Sequence, residues 1–374
     1  MAPGLAACTS NSPSSNGTGD ERTISVTSSD DACEISSVEV PEGPLTFQVK
    51  NEGTQVTEFY LLGEDGLRIV GEVENIGPNL SRDLVANVPA GTYTTACKPG
   101  MAGEGIRADF VVATSDDAPV AAGDEASVEQ AEKNYATYVT DQSDQLLTKT
   151  TTFVGLYEAG KDEQARDLYA KARLHWERIE TVAESFGDLD PKMDAREADL
   201  EPGQKWTGWH RIEKDLWPQE AKDYTPLTPK ERRTYGQDLL ENTKTLDTRI
   251  KKMDFTIDQI ANGSRGLLEE VATGKVTGEE EAWSHTDLWD FQANVDGARV
   301  GYEGVRPILV DKDKDLADEL DARFDELQKL LDGHRTGKDE YQLYTELSDA
   351  QIKALSDAVN ALSEPLSKLT AAVL

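Results

Sequence analysis

The spacing of apolar residues along this chain changes once. Between Thr23 and about Thr114, segments such as TISVTS, LTFQVK, EFYLLG, LRIVGEV, RDLVANV, GTYTTAC and ADFVVA alternate apolar and polar positions or gather β-branched and aromatic residues, with Gly, Pro and Asn clusters between them. A period of two in short segments predicts strands with one buried face, and many of them in succession predict a β-sandwich. From about Ser127 apolar residues recur every three to four positions, in stretches near 127–158, 161–186, 208–217, 229–262, 279–303, 312–332 and 340–372. That is the period of amphipathic helices packed as a bundle. Breaks are expected at Gly187-Asp188-Leu189-Asp190-Pro191, Trp217-Pro218 and Arg306-Pro307, where glycine and proline interrupt a helix. The expected organisation is a flexible tether over 1–22, a β-sandwich over 23–114, an acidic linker with Pro119 over 115–126 and a helical bundle over 127–374. The segments 187–208 and 218–228 are expected to form site-bearing loops.

Charge narrows the function classes. The chain of 374 residues carries 71 acidic against 38 basic residues, a formal net charge of −33. Such a surface repels phosphate backbones, which excludes nucleic acid as a partner, and attracts cations. No run approaches the roughly 20 apolar residues needed to cross a bilayer. Near the start, Leu5-Ala6-Ala7-Cys8 precedes a stretch rich in Ser, Asn, Gly and Thr, similar to the end of a bacterial lipoprotein signal. The expectation is lipidation at Cys8, attachment to the membrane only through that anchor, and an extracytoplasmic location at the cell surface or in the periplasm. In an oxidising compartment Cys33 and Cys97 are either a disulfide or thiolate ligands of a soft metal, with Met101 four residues after Cys97 in CKPGM.

The candidate chemistry lies in the helical half. Four segments, HWERIE (175–180), DAREADLE (194–201), GWHRIE (208–213) and SHTDLWD (284–290), set acidic residues beside three of the chain's four histidines. His210 and Glu213, like Glu177 and Glu180, stand at i and i+3, one turn apart on a helix face. Imidazole with several carboxylates suits iron, zinc or manganese. Gly208 has no side chain and so permits a neighbouring segment to approach closely. A competing account makes His210 a packed histidine, with Glu213 paired to Arg211 or Lys214, and leaves Glu177 and Glu180 on a solvated face with Arg173 and Arg178. His285, with Glu281 and Asp287, is a candidate second site or outer layer, although Trp283 and Trp289 suit packing equally.

GWHRIE matches the G-x-H-x-x-E motif of imelysin-like domains, and HWERIE, the DAREAD segment and SHTDLWDFQANVDGA are similar to neighbouring signature segments of the EfeO/EfeM iron-uptake proteins. The resemblance implies a multidomain β + α chain, with an N-terminal cupredoxin-like β-sandwich followed by an all-α imelysin-like helical bundle. It implies an extracytoplasmic component of an EfeUOB-type system that captures Fe2+ or Fe3+ and delivers it to a membrane iron permease, alongside a haem-containing dye-decolorising-type peroxidase. Zinc is an expected substitute in vitro. Carried over to this sequence, the motif gives His210 and Glu213 as metal ligands, with Glu177, Glu180 and Asp194 as companions; Glu197 and Asp199 share the segment of Asp194.

In the β half the resemblance implies a site of Cys33, Cys97 and Glu58, with Thr92 where the family pattern has a second acid. Copper or ferric iron there, with auxiliary Fe(II) oxidation, stands against a structural disulfide. Blue copper is excluded because no histidine precedes His175. The imelysin name also brings in a metal-dependent peptidase. The chain contains no H-E-x-x-H, the pattern that sets two ligands and a general base on one helix, so the chain is not expected to be an enzyme. A binding module for another divalent cation or for a metal-bridged acidic polymer is the remaining alternative.

Overall fold

The computed structural model describes residues 22–64, 66, 69–101, 105–115, 125–200 and 203–374. Cys8, almost all of the expected tether and most of the expected linker lie outside the described residues. The chain divides into two compact units, one of strands and one mainly of helices.

Among the described residues nine strands build the first unit: β1 (Thr23–Ser28), β2 (Cys33–Ile35), β3 (Glu39–Pro41), β4 (Gly43–Asn51), β5 (Thr57–Leu62), β6 (Ile69–Ile76), β7 (Ser81–Val88), β8 (Gly91–Cys97) and β9 (Ile106–Ala113). They form a sheet in the order β2-β1-β4-β7 and a second in the order β3-β9-β8-β5-β6. The alternation on β4 turns Leu45, Phe47 and Val49 inward, all fully buried. Phe47 lies 5.3 Å from Phe59 and 5.5 Å from Phe110, ring centre to ring centre, so the two inner faces interlock.

Cys33 on β2 and Cys97 on β8 form a disulfide between the two sheets, their Cα atoms 5.7 Å apart. Phe59 pairs with Cys97 across the β5–β8 ladder. Successive side chains of a strand face opposite ways, so Glu58 points to the other face of the sheet, where it accepts the Tyr60 hydroxyl at 2.9 Å. Met101 is 49% exposed. The set of Cys33, Cys97, Glu58 and Met101 considered from the sequence is therefore not brought together, and the sulfur atoms are committed to each other.

The second unit comprises α1 (Glu125–Glu158), α2 (Asp162–Glu177), α3 (Glu180–Glu184), α4 (Asp190–Met193), α5 (Trp209–Leu216), α6 (Pro229–Ile250), α7 (Ile257–Thr273), α8 (Asp287–Lys312), α9 (Lys314–Asp332), α10 (Asp349–Leu366) and α11 (Leu369–Val373). Helices α1, α2 and α8 pack on one another, α6 lies against α1, and α7 lies against α8. The long segment expected over 229–262 is two helices, because Thr256 and Gln259 form a capping box that starts α7 afresh. The break expected at Arg306-Pro307 does not occur: Pro307 sits inside α8 on its exposed side, where water can satisfy the carbonyl that loses its amide partner.

Two glycines set the approach of elements near the site. A Cβ on Gly208 would lie 2.1 Å from the Met193 carbonyl oxygen, so only glycine lets the α4 segment press against the start of α5; its φ of 90° and ψ of −164° demand glycine as well. A Cβ on Gly297 would lie 2.3 Å from the Arg178 carbonyl oxygen, so α8 meets the break between α2 and α3 in the same way.

Candidate metal centre

Helix α5 is short and buried on most of its circumference. Trp209 anchors it, its ring 5.3 Å from Phe153 and 5.9 Å from Tyr169. The next residue, His210, is 1% exposed. Its Nδ1 lies 3.2 Å from Glu213 Oε2, the contact expected of i and i+3 partners on one face. The other Glu213 oxygen accepts the backbone N–H groups of Trp283 at 2.8 Å and Ser284 at 2.7 Å. Glu213 is thus fixed from both sides, and it orients the ring so that Nε2 faces inward.

His210 Nε2 lies 3.3 Å from Glu280 Oε1 and 3.5 Å from Asp194 Oδ1 without a well-directed hydrogen bond. Glu280 was not anticipated, though it stands in the acidic run Glu279-Glu280-Glu281. Runs of that kind are usually solvated, and periodicity alone did not distinguish this one. Asp194 reaches the site because Gly208 admits the end of α4; its carboxylate also accepts the Trp176 indole N–H at 2.8 Å. Of its segment, Glu197 pairs instead with Lys214 and Asp199 with Arg196, both on the surface. Arg211 bonds the Tyr224 hydroxyl at 2.9 Å, so neither basic neighbour on α5 competes for Glu213.

Glu177 and Glu180 are not on one helix, since α2 ends at Glu177 and α3 begins at Glu180. They still converge. Lys275 Nζ lies 2.7 Å from each of them, and the Asn294 amide donates to the Glu177 carbonyl at 2.8 Å and to Glu180 at 2.9 Å. Neither glutamate is solvated. Among the described residues four groups have ligand atoms close enough to share one ion: Asp194, His210 and Glu280; His210, Glu213 and Glu281; Glu177, Glu180 and Asp194; and Glu180, Glu184 and Glu270. Among the described residues no single such group holds all five ligands expected from the sequence. Asp194, His210 and Glu180 link the groups.

Glu281 shares a candidate group with His210 and Glu213, and Asp287 lies beside it. Glu281 accepts the Ser284 hydroxyl at 2.8 Å, and Asp287 accepts the Glu281 backbone N–H at 3.1 Å, which holds the loop that carries Glu280. His285 does not join any of these groups; its backbone carbonyl accepts Tyr344 N–H at 2.9 Å. His175 is a packed histidine facing Gln142 at 2.8 Å, and burial pushes its pKa down to about 3. Of the two loops expected to bear the site, 187–208 supplies Asp194 and a pocket wall, while no residue of 218–228 joins a candidate ligand group.

Burial and charge crowding together set the electrostatics. Burial, with the Glu281 charge, pushes the Glu213 carboxyl up to about 7. Burial also raises Glu180, Glu281 and Asp290. Burial would raise Glu280 too, but Lys275 and His210 outweigh it and hold that carboxyl well below the usual range. For His210, burial and Arg173 push the pKa down, yet the close carboxylates of Glu213, Glu280 and Glu281 prevail and raise it well above the ordinary value. The metal-free centre thus keeps protons that an entering cation would displace. A pocket of about 250 Å³ reaches His210 and Glu280, bounded by Arg196, Glu197, Glu279 and Trp283.

The comparisons with known proteins agree with this architecture. The imelysin (peptidase M75) family model matches residues 131–369. The chain belongs to the imelysin family. A cupredoxin-like domain model matches residues 2–112 ahead of the imelysin region. The Iron uptake system component EfeO of Yersinia pseudotuberculosis is 37% identical over 349 residues, covering 92% of this chain and 90% of that protein. An Efem/EfeO family lipoprotein of Staphylococcus aureus is 45% identical over 250 residues, 66% of this chain and 86% of the relative. A crystal structure titled as a putative iron-regulated protein A precursor from Parabacteroides distasonis superposes with a TM-score of 0.51 at 16% identity, covering 68% of this chain and 98% of that one. At that identity it speaks for the fold alone.

Proposed function

We propose that this imelysin-family chain is the iron-binding component of an iron-uptake system, and that iron is its cargo rather than a catalytic cofactor. The observation that carries the reading is His210 Nε2, buried without a well-directed hydrogen bond and facing Asp194 and Glu280 at the end of a pocket. Imidazole and hard carboxylate oxygens are the donor set for Fe2+ and Fe3+, and zinc shares it. In this reading His210, Asp194 and Glu280 bind the ion. Glu213 orients the imidazole through Nδ1, as an outer carboxylate does for a metal-bound histidine. Glu177 and Glu180 form the adjoining acidic wall.

The names of the relatives support an iron-uptake role and a lipid-anchored, extracytoplasmic protein; lipidation at Cys8 and transfer to a membrane permease join the proposal through the family resemblance. The haem-containing dye-decolorising-type peroxidase is part of the same proposal through the family resemblance. No described helix is long and apolar enough to cross a membrane. We assign no peptidase chemistry, for which the M75 label is the sole motive.

Anaerobic Fe(II) titration and elemental analysis of the full chain test the site. His210→Ala is expected to lower affinity at least ~100-fold, beyond the loss typical of an outer-layer change. An affinity unchanged from wild type would remove the ion from this histidine.

A further inference from the structure

Arg173 is fully buried, and its guanidinium meets five carboxylates. It lies 2.6 Å from Glu177, 2.8 Å from Glu280, 2.6 Å from Glu281 and 3.6 Å from Asp290, and it pairs with Asp194. Two of these contacts use the very oxygens that face the imidazole. Asp194 Oδ1 and Glu280 Oε1 each contact both Arg173 and His210 Nε2. An ion bound by His210, Asp194 and Glu280 draws on the same lone pairs as the guanidinium, so the two positive charges compete.

We propose that Arg173 is a tethered counter-cation of the metal centre, which yields Asp194 and Glu280 when the ion enters and reclaims them when it leaves. The inference rests on the metal-binding reading above. Carboxylates this close repel one another when nothing separates them, so the empty centre needs an internal cation to remain assembled. Arginine suits the task because it stays charged at every accessible pH and its fork holds several oxygens at once. Tethering sets its effective concentration high, so it competes with the ion without ever diffusing away. The consequence is a deliberate loss of affinity: the ion is held weakly enough to be handed on.

Two variants of the full chain test this, each checked for folding by circular dichroism. Arg173→Met removes the charge at similar length. Arg173→Lys keeps a charge but is too short to hold Asp194 and Glu280 together with Glu281. Fe(II) affinity is measured anaerobically, and release is timed against a chromogenic Fe(II) chelator. The expected result is binding about tenfold tighter and slower release in R173M, with a smaller tightening in R173K, as follows when a nearby like charge is removed or withdrawn. A purely structural arginine gives the opposite sign. Equal or weaker affinity in the folded variants overturns the proposal, and if R173M does not fold, R173K decides alone. A wild-type chain that binds no Fe(II) instead overturns the site reading itself.

Discussion

His210 has two nitrogens with different tasks, and the surrounding carboxylates assign them. Glu213 faces Nδ1 while Asp194 and Glu280 face Nε2. Glu213→Gln keeps an acceptor for the ring but loses the charge, and is expected to weaken metal binding about tenfold, less than His210→Ala; titration of both variants ranks them. A second residue-scale consequence concerns pH. Glu213 is raised to about 7 and His210 well above its ordinary value, so both hold protons in the folded state that the unfolded chain gives up at lower pH. Their contribution to stability is therefore present at low pH and lost as pH rises through the folded values. Between about pH 4.5 and 7 the metal-free protein is expected to lose on the order of 3 kcal/mol through Glu213 alone. Metal affinity runs the other way, rising with pH as those protons cease to compete. Urea unfolding and Fe(II) titration across this range check both signs. At this scale the motif pair was legible because a one-turn spacing suffices to join His210 and Glu213. Glu280 and Arg173 were not, because nothing local separates a buried acid or arginine from a solvated one.

Elements decide whether those residues meet. Asp194 follows α4 and His210 opens α5, and the contact between the two segments depends on Gly208. Gly208→Ala puts a Cβ 2.1 Å from a carbonyl oxygen at a backbone conformation that other residues avoid. The expected cost is at least ~1–3 kcal/mol of stability, with weaker metal binding as Asp194 is pushed away; denaturant unfolding alongside metal titration reads the two effects. The close approach at Gly208 was readable from the sequence, since a glycine two residues before a candidate ligand has few other uses. The helix break between Glu177 and Glu180 was not. Their spacing suggested a shared helix face, yet tertiary contacts from Lys275 and Asn294 bring them together across a break.

For the whole molecule, the two units make separable predictions. Reduction of Cys33–Cys97 is expected to destabilise the strand unit by ~2–5 kcal/mol and to leave the iron stoichiometry of the helical unit unchanged; calorimetry with metal analysis before and after reduction tests this. Unreduced protein should show at most the thiol of Cys8. The division into strands and helices was legible in the sequence, because burial of one face imposes a period of two on strands and of 3.6 on helices, and each residue records that locally. The centre itself belongs to the tertiary structure. Its members come from α2, α3, the end of α4, α5, the loop before α8 and α8 itself, and their protonation and pairing depend on distances across that packing. The sequence by itself determined the two folds, the acidity that favours cations and the one-turn pairing of His210 with Glu213. Only the tertiary structure decided which carboxylates face that histidine and that an arginine already occupies their oxygens, because charge interactions act through space and leave no period along the chain.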